Sequence, residues 1–371
     1  MNILIYGIFP DIHTEAVAWG LRQKGVHVDV WNQANFPVQQ SLSVRLGCAD
    51  GGSGAAWQIR DFSVDVRSRP YALVWYRRDA DPTLSEAINK ADRAMAWRES
   101  LGMIQGMDQL LAQGARWIDH PRVTRQASSK IYQLQLALAC GLSFPPTLFS
   151  NDPDEIRAFA AQYQPIVYKP FYQMSWRRSE KSMRSLFTAK VRPEQLGNDA
   201  ALRACPGIFQ RCVEKDHEIR LTMLGDDHIA LKIHGYPNER ASVDWRSAST
   251  NGVKYDQVTL PDWLLARAHQ LMEALGLRFG CLDFMVDAEG HYHFLEVNPS
   301  GQFLWAEYAL PGTPMLDRFC DFLIREAGGT PASAKRVTLA AFDAMKAADA
   351  EREADIARHV PYVNPFMHTE A

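Results

Sequence analysis

The sequence predicts an α/β protein whose C-terminal part is α+β, and three observations carry that prediction. An apolar strand at 2–6, a helical segment at 13–24 and a second strand at 26–30 give a β-α-β opening, the mark of a parallel sheet. From 218 onward, strand segments follow one another through short turns, the mark of antiparallel pairing. The 371 residues are enough for two or three domains, and a 47% hydrophobic share can fill their cores.

The elements follow in order. Gly25 ends the first helix. Gly51-Gly52-Ser53-Gly54 reads as a hairpin tip or loop, and 72–76 as a buried strand running into Arg77-Arg78. Helical periodicity at 84–113, closed by Gly114, completes a small doubly wound unit at 1–118. A central segment, 119–209, begins at His120-Pro121. It holds an amphipathic helix at 128–140 with Gly141 at its C′ position, then an extended stretch at Pro145-Pro146-Thr147-Leu148. Asp152 and Pro153 mark a helix start as cap and first residue, and strands are expected at 166–169, 186–191 and 207–211. A third segment, 210–329, carries strands at 218–224 and 228–234 joined by a Gly-Asp-Asp turn, and a helix at 262–275. Strands at 281–286 and 291–297 follow around the turn Asp287-Ala288-Glu289-Gly290, then a helix at 314–327. The tail, 330–371, reads as an appended helix with an irregular end.

Bulk properties narrow the function. A net charge of -3 leaves no global basic field for nucleic acid. No apolar run reaches the roughly 18 residues that a membrane span needs. The N-terminus lacks a charged n-region and a small-residue cleavage site, so it is not read as a signal peptide. The six cysteines are scattered without a C-x-x-C, as expected of free thiols in a reducing cytoplasm. No Walker A loop, no G-x-G-x-x-G after the first strand, no H-E-x-x-H and no G-x-S-x-G is present.

The sharpest constellation lies in the last hairpin. Glu296 and Asn298 are two apart on one strand and so share a face, and Asp283 on the neighbouring strand can join them. Magnesium takes such oxygen ligands when substrate phosphates and water complete its shell. The alternative is the polar face of a half-exposed hairpin, although burying these groups unpaired would be costly. Lys169 ends a buried strand, from which a cation can reach a phosphate. Lys130 sits in the first turn of a helix, where a cation opposes the helix dipole unless an anion accompanies it.

An early helix lysine, a Lys-Pro strand end, an aspartate and a Glu-x-Asn pair, in this order, resemble the ATP-grasp superfamily. Trp75-Tyr76-Arg77-Arg78, the run from Ser129 to Leu134 leading to Pro146-Thr147-Leu148, Ser150-Asn151-Asp152-Pro153, and Asp244-Trp245-Arg246 are similar to the microviridin (graspetide) maturases of ribosomal peptides. The resemblance spans about 1–328. It implies an ATP-grasp fold with an N-terminal doubly wound pre-ATP-grasp domain at 1–118. Central and C-terminal ATP-grasp subdomains would occupy 119–209 and 210–329. It further implies ATP and Mg²⁺ as cofactors. Lys130 and Lys169 would hold phosphates. Gln210 and Arg211, with the backbone of Cys212 and Val213, would line the adenine pocket, and Glu218 would take the ribose. Asp283, Glu296 and Asn298 would bind the metal. Arg220, Lys232 and Arg246 would face the γ-phosphate and the acyl phosphate as catalytic cations.

The implied reaction is activation of a carboxylate as an acyl phosphate and its transfer to an amine or hydroxyl. The implied partner is a precursor peptide with an acidic core, and the implied enzyme a cytoplasmic homodimer. A ligase joining an amino acid or small amine to a carboxylate is the second reading, and a catalytically silent nucleotide- or peptide-binding protein the third. Two departures stand out. The stretch 171–181, where the superfamily places a glycine-rich lid, has no glycine; Arg177, Arg178, Lys181 and Arg184 would supply charge in its place, meet an acidic peptide, or form a solvated loop. The other departure is the 330–371 tail.

Overall fold

The computed structural model describes residues 1–47, 56–172, 175–179, 182–238, 242–244, 252–331 and 336–361, with backbone alone at 175–179 and 182–185. They form two compact units, one of Met1–Thr124 and Ser300–Tyr362, the other of Arg125–Pro299.

In the first unit, β1 (Asn2–Gly7), α1 (Ile12–Gln23) and β2 (His27–Asn32) make the expected β-α-β, with the two strands parallel. Asp11 starts α1 by accepting the N–H groups of His13 and Thr14 at 2.9 and 3.0 Å. An antiparallel meander of β3 (Ser41–Arg45), β4 (Ala56–Arg60) and β5 (Asp65–Arg67) follows. Leu42, Val44 and Trp57 from this meander pack on the core cluster that includes Leu4, Tyr6 and Trp31. These strands are not among the expected elements, and the glycine-rich turn expected at 51–54 lies outside the described residues. The sheet is completed by β6 (Leu73–Tyr76) and, after α2 (Arg93–Ala112), β7 (Arg116–Ile118), giving the all-parallel order β2-β1-β6-β7. Helix α2 begins nine residues after the expected start at 84. Before it, the Ser85 hydroxyl accepts the Ala87 N–H and the Asn89 amide oxygen accepts the Ala91 N–H, closing local turns that compete with helix.

Trp75, Tyr76 and Arg77 are buried in this unit. The Arg77 guanidinium donates to the Asp11 carboxylate at 3.3 and 3.2 Å and to the Ser300 carbonyl at 2.6 Å. This part of the family-like motif therefore builds the core and presents little surface to a peptide.

After α3 (Pro121–Ala127) the second unit opens with α4 (Lys130–Ala139), which ends as expected at Gly141, in the left-handed region with φ +75°. Then come β8 (Thr147–Ser150), α5 (Pro153–Tyr163), β9 (Ile166–Lys169), a hairpin of β10 (Ser175–Ser179) and β11 (Ser182–Ser185), β12 (Ala189–Lys190), α6 (Asp199–Ala204) and β13 (Gly207–Arg211). Asp152 caps α5 with Pro153 at its first position. The strand expected at 186–191 is limited to β12. The four strands β12-β9-β13-β8 form one sheet.

A second sheet is built from β14 (Lys215–Leu224), β15 (Asp227–His234), β16 (Lys254–Gln257), β17 (Phe279–Asp287) and β18 (Tyr292–Asn298), with α7 (Asp262–Leu275) between β16 and β17. Its order is β16-β15-β14-β17-β18, antiparallel throughout.

The chain then returns to the first unit with α8 (Trp305–Ala309), α9 (Met315–Glu326), α10 (Leu339–Ala348) and α11 (Ala350–Arg358). Lys24, just past α1, pairs with Asp317 and Asp321 of α9 at 2.7 and 2.8 Å. Gly20 lies so near that a Cβ there would stand 2.8 Å from the Cys320 sulfur, so glycine sets how closely α1 and α9 approach. The five described cysteines are all free.

Candidate functional site

Strand alternation assembles one side of the site. Val167 and Lys169 on β9 lie directly across from Gln210 and Ile208 on β13, so these four share one face. Ile166 and Phe209 take the other face and pack with Ile156, Ala160 and Leu196. On the second sheet Arg220 lies across from Asp283, and Asp283 from Glu296. Glu218 and Asn298 join that face by the two-residue period. A cavity of about 860 Å³ is lined from both sheets, with Lys130, Lys169, Gln210, Glu218, Asp283 and Glu296 among its walls. Arg211, Cys212, Val213 and Asn298 line it as well.

A bulge makes the metal-type face usable. The β17–β18 register shifts between Asp283 and Phe284, leaving Leu295 as the extra residue. Without it, Phe294 would share a face with Glu296, two residues on. With it, Phe294 pairs with Phe284 on the opposite face, their ring centroids 5.7 Å apart, and is fully buried. Glu296 is left among the polar groups.

Those groups are tightly coupled. One guanidinium nitrogen of Arg220 donates to both Asp283 oxygens, at 2.8 and 2.9 Å. Burial opposes the charge on Arg220, but the Asp283 carboxylate more than offsets it, with Cys281 and Glu296 adding to the effect, and its pKa rises. The Asn298 amide donates to Asp283 Oδ2 at 3.4 Å and to Glu296 Oε1 at 3.3 Å. The Lys130 ammonium pairs with the other Glu296 oxygen. This is the anion that the cation in the first turn of α4 called for. Two carboxylates and an amide within a few ångströms form a hard, incomplete oxygen set, which fits Mg²⁺; rotation of the Asn298 amide would present its oxygen.

Helix α4 is held against β18 by a residue that the sequence reading passed over. Gln133 lies one helical turn beyond Lys130 and therefore on the same face. Its amide nitrogen donates to the Ala127 and Val297 carbonyls at 2.6 and 2.8 Å, and its oxygen accepts the Val297 N–H at 3.0 Å. Strand β18 is the edge of its sheet, so Gln133 supplies partners that a further strand would have supplied. The hinge between the sheets is partly committed. The Cys212 N–H is given to the Pro165 carbonyl at 2.8 Å, so of the two backbone segments expected at an adenine pocket this donor is already committed. Burial pushes the Cys212 thiol up against the pull of Lys190, Lys215 and Lys169.

Lys215, Lys190 and Asp244 also line the cavity and were not anticipated as site residues. Lys215 pairs with Glu218 and lies 4.6 Å from the centre of the Tyr236 ring. Burial raises the Glu218 pKa, Asp283 and Asp244 add to the rise, and Lys215 opposes it. Among the expected catalytic cations, Arg220 stands behind Asp283 as its ion-pair partner. Lys232 is not brought into the cavity. It pairs across to Ile219, not to Arg220, so it points from the other face of the sheet, 3.8 Å from the Asp216 carboxylate. Arg246, Lys181 and the side chains of Arg177, Arg178 and Arg184 lie outside the described residues.

No protein-family model matches the sequence, and neither does any curated protein. Solved structures do. The macrocyclase MdnB from Microcystis aeruginosa MRC is 30% identical, with a TM-score of 0.71 over 87% of this chain and 99% of that one. The chain belongs to the RiPP-associated ATP-grasp ligases. A ligase of that description from Chryseobacterium gregarium, in complex with ADP and a leader and core peptide, superposes with a TM-score of 0.80 at 24% identity, over 91% and 99% of the two chains. The ATP-grasp ligase PsnB, complexed with minimal precursor, Mg and ADP, gives 0.67 at 25% identity over 88% and 98%. The α/β ATP-grasp fold expected from the sequence is thus the observed one, in an ATP-dependent ligase. Lys215 had one legible signal, its place three residues before Glu218 at a strand start; Gln133 was marked only by its spacing from Lys130 within the family-like run from Ser129 to Leu134.

Proposed function

We propose that this ligase uses Mg-ATP to activate Asp or Glu side chains of a ribosomal precursor peptide and joins them to hydroxyl or amine groups of the same peptide, in the manner of graspetide macrocyclisation. The observation that carries the reading is the meeting of Asp283, Glu296, Asn298 and Lys130 at one wall of a single cavity. The peptide complexes of the related ligases support the substrate class.

Asp283, Glu296 and Asn298 would hold magnesium, which when bound neutralises phosphate charge. Lys130 and Lys169 would bind the phosphates, and Lys130 must leave Glu296 as they arrive. Arg220 would keep Asp283 ionised and aimed. Gln210 and Val213 would bound the adenine site, with Glu218 at the ribose. The two sheets of the second unit would then serve as the central and C-terminal halves of the grasp. The substrate carboxylate attacks the γ-phosphate to give an acyl phosphate and ADP, and the hydroxyl or amine then displaces phosphate. The chain itself contributes positioning and charge. Arg246 and the basic 177–184 segment would meet the acyl phosphate and an acidic core peptide.

The test is to incubate the enzyme with the precursor peptide encoded beside its gene and Mg-ATP, and to weigh the product. Loss of one water mass per bond, with ADP released in step, is expected. Gain of an amino-acid mass less one water would move the enzyme to the small-amine ligases, and no mass change with no ADP would overturn the reading. The same reading predicts a cytoplasmic homodimer, which light scattering tests for oligomeric state.

A further inference from the structure

We propose that Thr147 is a positioning residue for nucleotide choice: it locks the Gln210 amide so that the carbonyl oxygen, and not the NH₂ group, faces the base, which selects adenine over a purine with an oxygen at C6. The inference rests on the reading that places adenine against Gln210. Thr147 on β8 lies directly across from Gln210 on β13. The Gln210 amide nitrogen and the Thr147 hydroxyl oxygen are 2.8 Å apart. On the other flank of Gln210 stands Val167, whose side chain has no polar atom to compete. Gln210 is 4% exposed and lines the cavity, so the direction of its amide is a property of the wall.

The oxygen and nitrogen of an amide have nearly the same shape, and hydrogen-bond partners tell them apart. Here the Thr147 hydroxyl decides. Its single hydrogen goes to the Pro145 carbonyl at 2.7 Å. Toward Gln210 the hydroxyl can then only accept, which requires the amide nitrogen on that side. The Pro145 carbonyl is itself held. Pro145 and Pro146 each fix φ, and a residue before proline is confined to extended backbone. The next carbonyl, that of Pro146, accepts the Arg211 N–H at 2.9 Å and ties this stretch to β13. Carbonyl, hydroxyl and amide thus pass on one direction. Among the described residues no donor meets the Gln210 oxygen, and it is not sealed from the cavity. Adenine carries a donor amine at C6, whereas guanine and hypoxanthine carry an acceptor oxygen there. The locked oxygen accepts from the first and repels the second. Without the Thr147 hydroxyl the amide can turn over and offer its NH₂ to an oxygen.

The experiment measures binding of Mg-ADP and of Mg-inosine diphosphate to the full-length protein by calorimetry, in wild type, T147V, T147S and Q210A. Wild type should hold ADP at least about tenfold more tightly than inosine diphosphate. T147V has nearly the same shape without the hydroxyl and should narrow that ratio at least about threefold, while T147S should keep it. A merely structural loss would weaken both nucleotides alike and leave the ratio unmoved. Equal binding of the two nucleotides to wild type overturns the proposal without any variant, and so does an unchanged ratio in T147V. Q210A separates this inference from the reading beneath it. Preference lost in Q210A but kept in T147V removes the role of Thr147 alone. Unchanged affinity and ratio in Q210A remove adenine from this wall altogether. Should T147V fold poorly, T147A carries the same comparison.

Discussion

Arg220 and Asp283 occupy directly opposed positions on β14 and β17, and one guanidinium nitrogen binds both carboxylate oxygens at 2.8 and 2.9 Å. The pair lies beneath the polar face that Glu296 and Asn298 complete, so the same carboxylate serves the sheet and the candidate metal site. Asp283→Asn should strand a buried guanidinium and cost about 3–5 kcal/mol. Urea unfolding reads the loss of stability, and ADP release the loss of turnover. Unchanged stability would show that the pair is not a structural element.

Glu296→Gln removes the charge that pairs with Lys130 and one of the two carboxylates proposed to hold magnesium. ADP formation should fall by about 10²-fold or more, the scale of losing one charge-stabilising group at a reacting phosphate. Coupled ADP detection with saturating Mg-ATP measures it, and near wild-type turnover would remove Glu296 from the metal assignment.

Gln133→Ala leaves the Val297 N–H and carbonyl without their side-chain partners. A cost of about 1–3 kcal/mol follows for each buried group left unsatisfied. Because Lys130 rides on the same helix face, KM for ATP should rise more than kcat falls. Steady-state kinetics at varied ATP separates the two.

His359 gives the first unit a pH dependence. The Asn35 amide oxygen accepts the Val360 N–H at 3.0 Å, which turns the amide nitrogen toward Asp61 at 2.9 Å and His359 Nδ1 at 2.8 Å. Nδ1 is therefore an acceptor and the ring is neutral. Burial lowers its pKa, against the pull of Asp61 and Asp355. A histidine whose folded pKa lies below its unfolded value of about 6.5 costs stability as pH falls through that unfolded value, and the loss stops growing below the folded one. Protection factors for amides in 350–360, with the intrinsic fall of exchange in acid divided out, should drop between about pH 7 and 5, and His359→Ala should lack that pH-dependent step.

Much of the site was readable because it obeys local periods. Glu296 and Asn298 share a face by the two-residue repeat of a strand, and the polar interruption of an apolar run marked them. Lys130 stood out as a cation at the wrong end of a helix, and Glu296 is its answer. Lys232 shows the limit. Its sequence neighbourhood matches the pattern, yet the β14–β15 register sets it against Ile219 and turns it away.

The sequence by itself determined the β-α-β opening, the hairpin that carries Asp283, Glu296 and Asn298, and the helix start at Asp152. Each depends on hydrogen bonds and alternation within a few residues. Only the tertiary structure decided the Leu295 bulge, the Gln133 clasp on the edge strand, the burial of Arg77 beside Ser300, and the approach of Lys215 to the Glu218 carboxylate. The meander at 41–67 belongs with these. Register and edge pairing are chosen by which distant segment lies alongside, and that choice is made by the packing of the whole sheet, which no short window of sequence contains.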